Sequence, residues 1–133
     1  MFARFFCLRL CLALALAAPL VGCANRSTSR YIPAQASART ALESALDAWQ
    51  NGQPPGVIST SPPVQAVDSY WRSGQKLSRY EVLEEEKGEG PRVYSVRLYL
   101  AGSSQPQEVR YYIVGRDPVV VYRDSDYDAP AGM

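Results

Sequence analysis

Apolar residues follow two different periods along the chain. In the first half of the chain they recur with the i, i+3, i+4, i+7 spacing of an amphipathic helix over residues 37–51. The stripe consists of Ala38, Ala41, Leu42, Ala45, Leu46 and Trp49. Ser37 is the predicted N-cap, and Asn51-Gly52 supplies a stop signal. From Leu77 onwards, apolar and polar residues alternate with the period of a β-strand.

The alternating part of the chain divides into four strand-like segments, separated by short turns that contain Gly or Pro. The segments are 77–86, 92–101, 107–114 and 119–123. Turns this short predict that successive strands pair antiparallel. One face of such a sheet needs an apolar cover, which the helix can provide. The pattern therefore predicts an α+β domain over residues 37–127, with one long N-terminal helix packed on a curved four-stranded antiparallel meander.

The connection between the helix and the strands is less regular. Val57-Ile58 fits either a short strand or the start of a broken helix, and Val64 to Val67 fits a short extended piece. Asp68 is placed to cap a single helical turn over residues 68–72. Asp68 and Trp71 are the two residues of this region that we single out as candidates for a site.

The first 22 residues have the layout of an export signal. Arg4 and Arg9 give a basic start, and residues 10–21 form an apolar core that is too short to span a membrane. The core ends in Leu20-Val21-Gly22-Cys23, which has the form of a lipobox. We predict a lipoprotein signal peptide over residues 1–22, with cleavage before Cys23 and lipid attached to its sulfur.

Two other interpretations of the N-terminus stay open. An ordinary secretory signal cut after Ala15-Leu16-Ala17 would leave Cys23 as an unmodified thiol, and an uncut segment would act as a weak anchor. Under the lipoprotein interpretation, residues 23–36 form a flexible tether. The residue after Cys23 is Ala24 rather than Asp. In an envelope with two membranes, this predicts sorting to the periplasmic side of the outer membrane. In an envelope with one membrane, the protein would stay at the cell membrane.

The C-terminal segment opens like a calcium loop but departs from that pattern. Asp124, Asp126 and Asp128 have the spacing of the first three ligands, yet Ala129 stands where the loop needs Gly. We therefore predict no metal site. Residues 128–133 are predicted to be a disordered tail.

Composition excludes several kinds of chemistry. The chain has no His, and its three Cys are Cys7, Cys11 and Cys23. Without His, and with no unmodified Cys left in the processed domain, Cys–His and Ser–His–Asp catalysis and the usual zinc sites are excluded. Loss of Arg4 and Arg9 with the signal peptide leaves 12 basic and 13 acidic residues, so nothing predicts a nucleic-acid partner.

Several stretches resemble a known group of proteins. They are 41–49 with Gly52, then Asp68 and Trp71, and finally 112–123. Together they are similar to a family of small uncharacterised bacterial lipoproteins, and the order of elements looks like a cystatin-like or nuclear-transport-factor-like α+β roll. The resemblance implies a fold and a location in the cell envelope, but no activity.

Three functions compete at this stage. The first is a non-enzymatic binding or scaffold module of the envelope that contacts an unknown protein partner through its tyrosines, with no cofactor. The second is a small-ligand carrier with a pocket between helix and sheet that is lined by Trp49, Trp71 and inward tyrosines. The third is an enzyme with Asp68 or Asp117 as base and Arg110 or Arg116 as charge stabiliser. Five residues are candidates for the pocket or partner surface: Trp49, Asp68, Trp71, Tyr111 and Arg116.

Overall fold

The computed structural model describes residues 31–127. The predicted signal peptide, Cys23 and the tail at 128–133 lie outside these residues. Helix α1, Gln35–Gln50, forms where the helical period predicts it and buries the expected stripe, with Ala48 in addition. It begins two residues before the predicted start, and Ala34 occupies the N-cap position without a side-chain hydrogen bond. The prediction of Ser37 as N-cap is therefore wrong. Gln35 and Ala36 both favour a helix, which lets it begin earlier.

The end of α1 follows the sequence signal closely. Gly52 has a φ of 77°, and its N–H donates to the Trp49 carbonyl. The next N–H, of Gln53, reaches back to the carbonyl of Ala48. This pair of hydrogen bonds is a Schellman motif, which satisfies carbonyl groups that a helix end otherwise leaves without partners.

Six strands form one mixed sheet, so the predicted four-stranded antiparallel meander is wrong in strand number and in pairing. The strands are β1 (Gly56–Ile58), β2 (Val64–Val67), β3 (Leu77–Glu86), β4 (Arg92–Leu100), β5 (Gln107–Val114) and β6 (Val119–Arg123). Their order in the sheet is β1-β2-β6-β5-β4-β3. The meander exists as β3 to β6, but β2 pairs with β6 in parallel and β1 is added antiparallel to β2.

The two additional strands cover what would otherwise be an apolar edge. Strand β6 contains three consecutive valines, and such an edge invites pairing with other chains. Strand β2 pairs along it from Val64 opposite Val119 to Val67 opposite Tyr122. A further backbone bond joins the Val119 N–H to the Pro63 carbonyl at 3.0 Å. The short β1, with its exposed Val57, becomes the edge strand in place of β6.

The core lies between α1 and one face of the sheet. The predicted alternation of β4 and β5 is confirmed. Their inward side chains are Tyr94, Val96, Leu98, Leu100, Val109, Tyr111 and Ile113. Two short helices complete the domain: α2, Ser69–Arg72, follows β2, and α3, Asp124–Tyr127, follows β6. Within residues 31–127, no helix is both long and apolar enough to cross a membrane.

Candidate functional site

Asp68 lies at the centre of a buried polar cluster inside this core. It precedes α2 and caps it, as the sequence predicts: its Oδ1 accepts from the backbone N–H groups of Tyr70 at 2.9 Å and Trp71 at 3.2 Å. Asp68 is only 3 % exposed. A buried carboxylate is costly unless it is paired and hydrogen-bonded, so the remaining acceptor positions need partners.

Two side chains from the sheet supply those partners. Arg123 of β6 donates its Nε–H to Asp68 Oδ1 at 2.8 Å, and Tyr111 of β5 donates its hydroxyl to Oδ2 at 2.6 Å. Tyr111 and Arg123 face each other across the β5–β6 ladder, which places both side chains on the helix side of the sheet. The cluster therefore joins α2, β5 and β6 through one carboxylate.

Arg123 is itself enclosed. Its side chain is 4 % exposed, and its guanidinium carbon lies 4.0 Å from the centre of the Tyr70 ring, a cation–π distance. The Nη2 atom is buried without a hydrogen-bond partner among the described residues. Burial opposes the charge of Arg123, but the interactions with Tyr111 and Asp68 outweigh that effect and leave its pKa raised.

Tyr111 stays protonated well beyond the ordinary range. Complete burial raises the pKa of its hydroxyl far above the usual value of about 10, and the neighbouring Asp68 carboxylate raises it further. The nearby Arg123 acts in the opposite direction but does not compensate. The hydroxyl therefore serves as a permanent hydrogen-bond donor at neutral pH.

The two tryptophans pack together beside this cluster. The rings of Trp49 and Trp71 stack with centroids 5.8 Å apart and an interplanar angle of 13°. Each indole N–H has a backbone acceptor: Trp49 donates to the Gln75 carbonyl at 2.7 Å, and Trp71 donates to the Gln53 carbonyl at 2.8 Å. Both polar ends are thus satisfied by loops, and both rings belong to the hydrophobic core.

The structure separates the five candidate residues into two groups. Trp49, Asp68, Trp71 and Tyr111 are all buried in the core between α1, α2 and the sheet. Arg116 instead lies in the turn after β5, where its Nε and Nη2 lie 3.3 Å and 3.2 Å from the Ile32 carbonyl. The residues predicted as one surface therefore have two different surroundings.

Arg123, a member of the cluster, and Asp126, which lies beside it, are not among the candidate residues identified from the sequence. Arg123 is the last residue of the predicted strand 119–123, a position where Arg is ordinarily exposed. The signal that identifies it is the alternation of β6, because Val119, Val121 and Arg123 share the buried face. In the sequence, Asp126 belongs only to the incomplete calcium-loop pattern. It instead accepts a hydrogen bond at 2.8 Å from the N–H of Ser69 and joins α3 to α2.

The other residues considered for catalysis lie in the surface. Arg110 forms an ion pair with Glu86 at 3.6 Å, and Asp117 is exposed in the turn before Pro118. No group of three His, Cys, Asp or Glu residues between 31 and 127 is arranged to hold a metal ion. Asp68 Oδ1 accepts three hydrogen bonds and Oδ2 accepts one, and because the residue is only 3 % exposed the carboxylate is closed to a substrate in this conformation.

The surface also carries a groove beside α1. About 240 Å³ in volume, it lies between the N-terminal half of α1 and the segment 60–62. Half of the lining residues carry hydroxyl groups and the other half are apolar. The hydroxyl groups belong to Ser37, Thr40, Ser44, Thr60 and Ser61. The groove reaches the sheet at Val64 and Val119, but neither tryptophan lines it, so it is not the tryptophan-lined pocket considered for a ligand carrier.

Comparison of the chain with protein families, with curated proteins and with solved structures finds no match. The resemblance to small bacterial lipoproteins with a cystatin-like roll therefore stays a prediction.

Proposed function

We propose that this chain is a lipid-anchored protein of the bacterial cell envelope whose domain acts as a non-enzymatic binding or scaffold module. The observation that carries the proposal is Leu20-Val21-Gly22-Cys23 at the end of a short apolar core with a basic start. Acylation of Cys23 by two or more chains would hold the domain stably at a membrane, because each buried methylene contributes about 0.8 kcal/mol. The cystatin-like or nuclear-transport-factor-like roll is part of this proposal.

The chemistry of the domain supports binding rather than catalysis. The four hydrogen bonds of Asp68 engage the carboxylate in holding α2 against β5 and β6. A general base needs a lone pair directed at a substrate proton. The buried cluster therefore resembles a structural support more than a catalytic one.

A ligand carrier is the second candidate function. The specific observation in its favour is the groove of about 240 Å³ beside α1, which is lined by hydroxyl and apolar side chains in equal number and is large enough for a small molecule. Against it, the two tryptophans that would have lined an apolar pocket are packed on each other. Native mass spectrometry of protein purified gently from its own host separates the two functions, since a defined small-mass adduct would favour the carrier.

The anchor is tested by two cysteine substitutions. In Cys23→Ser we expect loss of membrane association and of cleavage before residue 23, because serine offers no sulfur for the lipid. Cys11→Ser is the matched control, since Cys11 lies within the predicted signal peptide and should leave both properties intact. If Cys23→Ser is still cut normally and still sediments with membranes after salt and carbonate washes, the proposal is wrong.

A further inference from the structure

Residues 31–33 are hydrogen-bonded to one end of the domain. Their three backbone carbonyl oxygens each accept a hydrogen bond. The Gly115 N–H donates to Tyr31, the Arg116 guanidinium to Ile32, and Arg92 Nε to Pro33 at 2.7 Å. We call residues 31–33, the β3–β4 hairpin tip at 87–91 and the β5–β6 turn at 115–118 the anchor end.

The opposite end of the domain is a strand length away. Strand β4 and helix α1 both begin near the anchor end and run away from it, and β4 has nine residues. At about 3.3 Å per residue, β4 spans about 30 Å. We call the loops at 51–53, 74–76 and 101–106 the far end. The N–H of Ala101 donates to the Lys76 carbonyl at 2.9 Å, which holds two of these loops together.

The chain between Cys23 and the anchor end is short. Seven residues, 24–30, separate Cys23 from Tyr31. Eight Cα–Cα steps reach at most about 29 Å when fully extended. The r.m.s. span of a flexible tether of eight steps is about 16 Å, roughly half the length of β4. An acylated Cys23 would therefore hold the anchor end, on average, nearer the lipid than the far end.

From this geometry we propose that the anchor end is a membrane-facing surface that contacts lipid headgroups, and that the domain presents its far end to the envelope. The inference rests on the proposed lipidation of Cys23. Tyr31, 64 % exposed, adds an aromatic ring of the kind that settles at headgroup level.

The charges of the anchor end indicate which lipids it contacts. Its exposed charged residues are Lys87 and Glu89 of the hairpin tip and Arg116 and Asp117 of the turn, so the charges cancel. Next to it, Glu85 pairs with Arg92 at 2.9 Å. A surface with balanced charge gains little from anionic lipid. The contact with the membrane therefore depends on the short chain between Cys23 and Tyr31 rather than on lipid charge. It should persist in vesicles of zwitterionic phosphatidylcholine.

The test uses the full lipidated protein with one fluorophore at either end. Cys7 and Cys11 leave with the signal peptide and acylation blocks Cys23, so a new Cys is the only free thiol. Glu89→Cys labels the hairpin tip and Ser104→Cys labels the far end, and both native residues are exposed. The protein is reconstituted in phosphatidylcholine vesicles that carry a nitroxide quencher on the headgroup.

We expect the label at position 89 to lose most of its fluorescence and the label at position 104 to lose little. Equal quenching at both positions, or stronger quenching at 104, would overturn the orientation. The mass of each labelled protein is measured in parallel. Protein without the acyl mass would contradict the lipidation itself, which distinguishes that failure from a failure of the orientation.

A second variant tests whether the short connection is the cause. An insertion of about 20 Gly and Ser residues after Arg30 adds up to roughly 70 Å of reach while leaving the domain unchanged. Quenching at position 89 should then fall to near that at position 104. Unchanged quenching at position 89 would show that the connection does not set the orientation and would overturn the argument.

Discussion

Substitution of Asp68 by alanine tests whether the buried cluster supports the fold. The change removes the acceptor of four hydrogen bonds and leaves Arg123 buried without its carboxylate. Arg123 Nη2 already lacks a hydrogen-bond partner among residues 31–127. Asp68→Ala would therefore leave a cation that is 4 % exposed without its carboxylate, rather than a surface charge.

Breaking a buried ion pair by removing one partner costs about 3–5 kcal/mol. A domain of this size has about 5–15 kcal/mol of total stability, so Asp68→Ala should lose a large part of it. Tyr111→Phe removes one hydrogen bond to the same carboxylate and should cost about 1.5–3 kcal/mol, which keeps the test measurable if Asp68→Ala does not fold. Asp68→Ala with Arg123→Met removes both charges and should recover part of the loss.

Urea unfolding of residues 23–133, expressed without the signal peptide and therefore without lipid, gives these free energies. The matched control is Glu43→Ala, which breaks only the exposed helical pair with Arg39 and should cost about 0.3–0.5 kcal/mol. The reasoning is refuted if Asp68→Ala costs no more than Glu43→Ala. It is also refuted if the added Arg123→Met destabilises the protein further.

Three further predictions concern the stacked tryptophans, the turn at Gly115 and the hydroxyl of Tyr111. A double-mutant cycle with Trp49→Leu and Trp71→Leu should give a coupling free energy of about 0.5–1.5 kcal/mol from urea unfolding, because each single variant removes the ring stacking. Gly115→Ala should lower the melting temperature more than Gly52→Ala. Both glycines have positive φ, but a Cβ at Gly115 would lie 2.6 Å from the Pro118 carbonyl oxygen while Gly52 faces open space. Since the folded-state pKa of Tyr111 is raised, its protonated form stabilises the domain fully below pH of about 10, and this contribution is lost as pH rises through the folded value.

Each of these has a result that would contradict it. A coupling free energy near zero would mean that the indole stack adds nothing beyond burial. Equal melting temperatures for the two glycine variants would show that the close approach to Pro118 does not destabilise Gly115→Ala. For the pH dependence, Tyr111→Phe should show a smaller alkaline loss of stability than the wild type. Equal losses in the two proteins would show that other groups cause the decline.

Helix α1 and the strands of the meander were predictable because their signals are local. A repeated period over eight or more residues, with Gly or Pro at the ends, fixes an element without reference to the rest of the chain. Asp68 as a cap was predictable for the same reason. The parallel pairing of β2 with β6 was not, because β2 has four residues and its partner lies more than fifty positions later in the chain.

The polar cluster was only half predictable. Asp68 and Tyr111 attracted attention as a possible site, whereas Arg123 was missed although it continues the buried alternation of Val119 and Val121. An Arg at the inward position of an apolar strand needs a buried acid, and Asp68 is the acid that meets it. Which acid it meets depends on the β2–β6 pairing, which a single sequence does not disclose.

The central claim is most directly tested by the mass of the N-terminal peptide of the protein isolated from the membrane fraction of its host. The account predicts a chain that begins at Cys23 and carries a diacylglyceryl group on its sulfur. A chain cut after Ala17 with an unmodified Cys23 thiol, or one that still begins at Met1, would contradict it.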